Sequence, residues 1–164
     1  AHTQNNYIWF LHREDTTYQN TANTKIGTIE GTCSILEFEG IINIGSADGQ
    51  VRLLISGGTK GESFCIEAEK DGSVELTWRN TNLGTLDSSY GLQGADLIFN
   101  LKLTSATEGN GSIEVTFKNA QTEAEIYTGT FSQAVTSEQL KQTAYYRTLE
   151  DGKLTVKLVV IDTT

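Results

Sequence analysis

From Ser63 to Arg79 the chain reads SFCIEAEKDGSVELTWR, with Phe64, Ile66, Ala68, Val74, Leu76 and Trp78 on one parity and mostly polar side chains on the other. Successive side chains of a β-strand point to opposite faces, so a two-residue period buries one face and wets the other. A helix would scatter the same apolar residues around its circumference. The interruption at Glu69, Lys70, Asp71 and Gly72 carries turn formers in the order of a type I turn closed by a left-handed glycine, which predicts a hairpin.

The same pattern recurs. Leu97, Phe99, Leu101 and Leu103 alternate on the way out, the polar loop TSATEGNGS follows, and Ile113, Val115 and Phe117 alternate on the way back. Further strands are expected over residues 7–12, 25–30, 34–44, 50–56, 125–131 and 153–161. Strands with one apolar and one polar face belong to antiparallel sheets with one wet side, and two such sheets bury their apolar faces against each other. The expected fold is therefore an all-β, antiparallel two-sheet β-sandwich. One short helix is expected between Thr136 and Tyr146 in VTSEQLKQTAYY, where Thr136 can cap, Gln139 completes a capping box, and Val135 with Leu140 forms a hydrophobic staple. Leu140 and Ala144 would then seal one open end of the sandwich. No repeat or composition break divides the 164 residues, so a single domain over 1–164 is expected.

The net charge of −9 repels a polyphosphate, and the twelve Lys and Arg residues form no stripe, which argues against a nucleic-acid partner. No run of eighteen apolar residues is present, so no membrane span is expected. The chain begins with Ala rather than Met, as a processed secreted protein does, and an extracellular or cell-surface location is expected. Cys33 and Cys65 are the only cysteines, and in that compartment an isolated pair is expected to be bridged. Cys65 shares parity with Glu67, and Cys33 with Glu37 and Glu39, which predicts a bridge on the outer face between neighbouring strands. Such a bridge contributes roughly 3–4 kcal/mol on the chain-entropy model.

Catalytic signals are sparse. No nucleophile elbow occurs, and His12, the best base, directly follows the apolar run YIWFL and reads as a strand-end polar residue. Glu67, Glu69 and Glu75 share the outer face of the first hairpin, where a glycosidase would carry its carboxylates, but Lys70 and Arg79 stand close by and the cluster reads as solvated charge. The chain is accordingly expected not to be an enzyme and to need no cofactor. Asp48 in GSADGQ and Asp87 in TLDSSYG lie in oxygen-rich turns open to calcium, yet neither fits a defined calcium loop and no metal site is expected.

Residues 79–96 form a long connection without strand periodicity, and connections this long are uncommon without a role. They supply Arg79, Asn82 and Asp87 as hydrogen-bonding groups and Tyr90 as an aromatic platform. A neutral sugar needs such a set, an apolar surface for its ring and fixed polar partners for its hydroxyls. Those four residues are the expected ligand-binding set.

From Glu37 to Phe131 the order EFEGIINIG, QVRLLISGG, SFCIEAEKDGSVELTWR, DLIFNLKL and SIEVTFK resembles a concanavalin-type or laminin-G-like jelly roll. The resemblance covers a little over half the chain and implies a non-catalytic module that binds a glycan or a glycosylated surface, in recognition or adhesion. A second reading starts from residues 1–24, where the apolar strand Ile8, Trp9, Phe10 and Leu11 is followed by the polar stretch HREDTTYQNTANT. That layout suits a strand given to a neighbouring identical subunit, as in a pilus-like filament; the alternative is pairing within its own domain.

Overall fold

The computed structural model describes the backbone of residues 6–10, 24–28, 34–46, 49–54, 63–136, 143–149, 153–154 and 158–163, and side chains at 34–46, 49–53 and 64–136. Among these residues the strands, in chain order, are β1 (Asn6–Phe10), β2 (Thr24–Thr28), β3 (Ile35–Asn43), β4 (Gln50–Leu54), β5 (Ser63–Ala68), β6 (Val74–Trp78) and β7 (Thr81–Leu86). They continue with β8 (Leu97–Thr104), β9 (Gly111–Asn119), β10 (Glu125–Gln133), β11 (Thr143–Leu149), β12 (Lys153–Leu154) and β13 (Leu158–Thr163). All pair antiparallel. Sheet A runs β1-β13-β3-β8-β9-β10, with β12 also on β3; sheet B runs β2-β11-β4-β5-β6-β7. The fold is an all-β, jelly-roll-like sandwich of two antiparallel sheets.

The alternation sets this architecture. Along β8 the side chains are buried and half-buried in strict turn, with Leu97, Phe99, Leu101 and Leu103 inside. In β6 Val74, Leu76 and Trp78 do the same from the opposite sheet. Phe64 of sheet B stacks on Phe99 of sheet A at 6.4 Å, and Phe99 on Phe117 at 5.7 Å, so aromatic rings tie the two layers together. Such offset contacts add to the transfer free energy of the buried rings.

The hairpin β5–β6 has the expected register, Phe64 opposite Trp78 and Ala68 opposite Val74. Gly72 turns it at φ +91°, where a β-carbon would also meet Ser88. The Asp71 carboxylate accepts from the Ser73 hydroxyl and, at 3.0 Å, from the Ser73 amide, closing the turn. The β8–β9 hairpin is likewise in register, Phe99 opposite Phe117.

The expected helix is not formed as read: Thr143, Ala144, Tyr145 and Tyr146 belong to β11, held between β2 and β4 in the interior of sheet B. Pairing on both sides, with Thr and Tyr suited to a pleated surface, overrides the capping pattern; residues 137–142 lie outside the described residues. Val135 is buried against the core, 1% exposed, its carbonyl accepting from the Ala106 amide. The Trp78 indole donates to the neighbouring Ala134 carbonyl at 3.4 Å.

Cys33 lies outside the described residues, as does any bridge to it. The neighbouring-strand geometry expected for that bridge does not hold, because β3, which begins two residues later, is in sheet A and β5 is in sheet B. Parity assigns a face and not a sheet. Cys65 does stand on the face of β5 turned from the core and is 2% exposed. At the amino-terminal end β1, which contains Ile8, Trp9 and Phe10, pairs with β13 of the same chain, Trp9 opposite Val159; Leu11 is outside the described residues. Among the described residues no helix is long and apolar enough to cross a membrane.

Two measurements check this account. Phe99→Ala removes the ring shared by both layers and should cost about 3–5 kcal/mol in urea-unfolding stability, against under 1 kcal/mol for an exposed threonine. The Ser73 hydroxyl, then its amide, hold the Asp71 carboxyl below its ordinary 3.8. A carboxylate whose pKa is depressed by folding stabilises above its ordinary value and loses that contribution as pH falls through the folded one. A carbon-13 titration should place the Asp71 midpoint below 3.8 and move it upward in Ser73→Ala.

Candidate functional site

The segment 79–96 is not a free loop, because β7 fills its first half and forms the edge of sheet B. Arg79 and Asn80, at φ +50° and +66°, make the tight two-residue turn from β6 into β7. A strand of β7's length places Arg79 roughly 25 Å from Asp87 at the opposite end. Asp87 caps the single 3-10 turn Ser88–Tyr90, its carboxylate accepting from the Ser89 amide at 2.9 Å and from the Ser89 hydroxyl. Asp48, the other aspartate weighed for calcium, lies outside the described residues. Tyr90 is 39% exposed and stands edge-on to Tyr127 at 5.6 Å. Burial, and then the nearby Tyr90, push the Tyr127 phenol above its ordinary 10.0.

The second half of the segment is stapled down. The Gln93 amide donates to the carbonyls of Glu69 and Ser73, both at 2.7 Å, so the crossing from sheet B to sheet A is locked to the β5–β6 turn. Asn43, 8% exposed, donates to the Gly94 carbonyl at 3.2 Å and the Asp96 carboxylate at 3.0 Å, and accepts from the Gly45 amide. Arg79, Asn82, Asp87 and Tyr90 are therefore distributed along an edge and do not converge on one small ligand.

Asn82 instead joins a larger constellation on the face of sheet B turned from the core. Register places Gln50, Glu67, Glu75 and Thr85 in one row across β4 to β7, and Arg52, Cys65, Thr77 and Asn82 in the next. Arg147 and Leu149 of β11 continue the two rows at the positions beside Arg52 and Gln50. A bulge in β6–β7 between Leu76 and Thr77 turns the first residues of β7, which keeps Asn82 opposite Thr77.

Burial is graded across these rows. Gln50 is 4% and Arg52 9% exposed, Glu67, Glu75 and Thr77 are half-buried, and Asn82 and Thr85 are exposed. The Gln50 side chain bridges its neighbours: its amide nitrogen donates to Glu67 at 2.9 Å, and its oxygen accepts from Arg52 Nε at 3.4 Å. A guanidinium out of water is tolerated only when hydrogen-bonded, and this chain fixes the orientation of all three groups. Glu67 stands directly opposite Glu75. Like charges so placed oppose the sheet's own stability and favour a donor bound between them.

A depression of about 500 Å³ lies on the outer face of sheet A, lined among others by Glu39, Ile41, Ile98, Asn100, Thr116 and Lys118. The Asn100 amide donates to Glu39 at 3.0 Å and Glu37 at 3.4 Å. Among the described residues the lining of this depression includes Lys118 and no arginine.

Glu67 and Glu75 were visible in the sequence as outer-face carboxylates. Gln50, Arg52 and Thr77 were not singled out; their signal was the polar parity of QVRLL and VELTW, which gives a face but no alignment between strands.

No family model and no curated protein matches the chain by sequence. Among solved structures the chain resembles a marine alginate lyase from Aplysia kurodai, with a TM-score of 0.52 at 10% identity over 90% of this chain and 79% of that one. Looser overlaps include sheep galectin-11, TM-score 0.44 at 16% identity over 87% and 98%, and scytalido-glutamic peptidase, 0.42 at 15% over 87% and 75%. The likeness to the lyase is one of fold. It also corrects the expectation that the chain is not an enzyme: the same sandwich serves an enzyme with no nucleophile motif legible here, so the missing motif does not exclude catalysis.

A double-mutant cycle tests the bridged chain. Gln50→Ala and Glu67→Ala should show a coupling of about 1–2 kcal/mol in unfolding stability, whereas Gln50→Ala with Thr85→Ala should be additive. Additivity at the first pair would mean the bridge is absent in solution.

Proposed function

We propose that this protein binds carbohydrate on the outer face of sheet B. The observation that carries the reading is the set of Glu67, Glu75, Thr77 and Asn82 side by side on that face, with Glu67 held in orientation by the buried Gln50, itself bonded to Arg52. Sugar hydroxyls both donate and accept, and a carboxylate next to an amide on a rigid sheet matches a pair of neighbouring hydroxyls without reorganisation.

The charge narrows the ligand class. Alginate, on which the Aplysia kurodai lyase acts, is a polyanion, whereas this chain carries a net −9 and sets two glutamates face to face in the site. A neutral glycan fits that field better than an anionic one. The finer reading, a concanavalin- or laminin-G-like recognition module at the cell exterior whose partner is a glycosylated surface, belongs to the same proposal and is supported by strand order.

A glycan array followed by titration calorimetry on the leading neutral oligosaccharides tests the reading. Glu67→Ala or Glu75→Ala should weaken binding about 10- to 100-fold, the loss of one or two charge-assisted hydrogen bonds. The same samples, assayed for new reducing ends, report whether the glycan is also cleaved. Absence of binding across the array would sink the proposal. Binding that survives both glutamate variants and is lost in Tyr90→Ala would move the site to the far end of β7.

A further inference from the structure

Sheet A ends at β10, and no strand among the described residues covers its outer edge. The other edge strands, β1, β2 and β7, span five, five and six residues, while β10 spans nine. Edge strands are ordinarily guarded by shortness, bulges, proline or lysine, because their open amides and carbonyls are a template for another strand. β7 is short and bulged. β10 has its one irregularity near its start, between Glu125 and Tyr127, and runs regularly from there to Gln133 with neither lysine, arginine nor proline in EIYTGTFSQ.

We propose that β10 is a self-association edge, on which two copies of this chain pair antiparallel about a two-fold axis at Gly129. The sequence of the strand is self-complementary about that residue. The axis sets Tyr127 opposite Phe131 of the second copy and Thr128 opposite Thr130.

Tyr127 and Phe131 both point inward, pack against the core and are half-buried because the sheet stops there. Pairing makes two aromatic cross-strand contacts and continues the core from one copy into the next. Gly129 itself is required at the axis, since the Tyr127 ring lies over it where a β-carbon would go. Thr128, Thr130 and Ser132 are exposed on the opposite face; the Thr128 hydroxyl donates to Glu125 and lies 3.3 Å from that of Thr116, and the Ser132 hydroxyl accepts from Asn110.

The field of the whole molecule selects the same edge. Two chains of charge −9 repel, and their contact is least opposed where charge is absent. On β10 the one charged residue, Glu125, lies beyond the bulge at the ends of the shared ladder, its carboxylate accepting from the Thr128 hydroxyl at 2.9 Å. Gly84 of the shorter β7 faces the Phe131 ring across the core. An isologous pairing of this kind closes at two copies and builds no filament.

One ladder with a small aromatic contact is less than a permanent dimer buries, so association is expected in the range of ~10 μM to ~1 mM. Sedimentation velocity over that range should show the mass rising from 17.9 kDa towards twice that value. Hydrogen exchange at 127–133 should slow with concentration while β7 amides are unchanged.

The double variant T128K/T130K sets like charges opposite each other on exposed positions and should weaken association at least tenfold with an unchanged circular dichroism spectrum. Mixing it with T128E/T130E should restore a one-to-one complex. A wild type monomeric at ~1 mM overturns the proposal, as does a dimer that T128K/T130K leaves intact or that forms without protecting the β10 amides.

Discussion

The contact between the two sheets is the interaction on which everything else depends. Phe99 touches Phe64 across the core and Phe117 along its own sheet, so the layers are held by rings and not by the pleats alone. Burying one parity of each strand fixes the register of the other, since a one-residue slip would turn every apolar side chain to water. The outer-face rows inherit their alignment from that constraint. Gln50 meets Glu67, and Glu67 meets Glu75, because Val51, Ile66 and Leu76 are committed to the core.

Crossing between the sheets brings backbone polar groups close to that core, and the chain satisfies them with two amide side chains. Gln93 donates to both carbonyls that flank the β5–β6 turn, and Asn43 uses its nitrogen and its oxygen to hold residues 94–96 and 45 together. Both are anchors of the fold. Their effect on function is indirect: by pinning the segment after Tyr90 they leave it little freedom to close over a ligand, and the rigid sheet face becomes the better surface for recognition.

That face fits a division of labour seen in the molecule's charges. Acidic groups dominate the surface, yet the one buried arginine among the described residues stands where Gln50 can relay between it and Glu67. A likeness of fold to an alginate lyase sets no ligand, since a sandwich of this kind is a frame on which sites are built from a few side chains. The bulge at Leu76 and Thr77, which re-aims the start of β7, is one place where such a frame has been locally adjusted.

Much of the frame was legible in the residues. Period-two alternation located β5, β6, β8 and β9 with their turns, because a half-buried strand writes its own pattern. It missed β7, whose TNLGTL has little apolar contrast at an exposed edge, and β11, where TAYYRTL follows a capping box that competes with it. Sequence alone determined which parity is apolar in β5, β6, β8 and β9, where those two hairpins turn, and that Glu67 and Glu75 leave the core. Only tertiary structure decided which strands are neighbours, that β3 and β5 lie in different sheets, and that Arg52, Gln50 and Glu67 form one chain. The physical reason is that alternation is a local property of a strand, whereas register and sheet order are set by contacts between residues far apart in the chain.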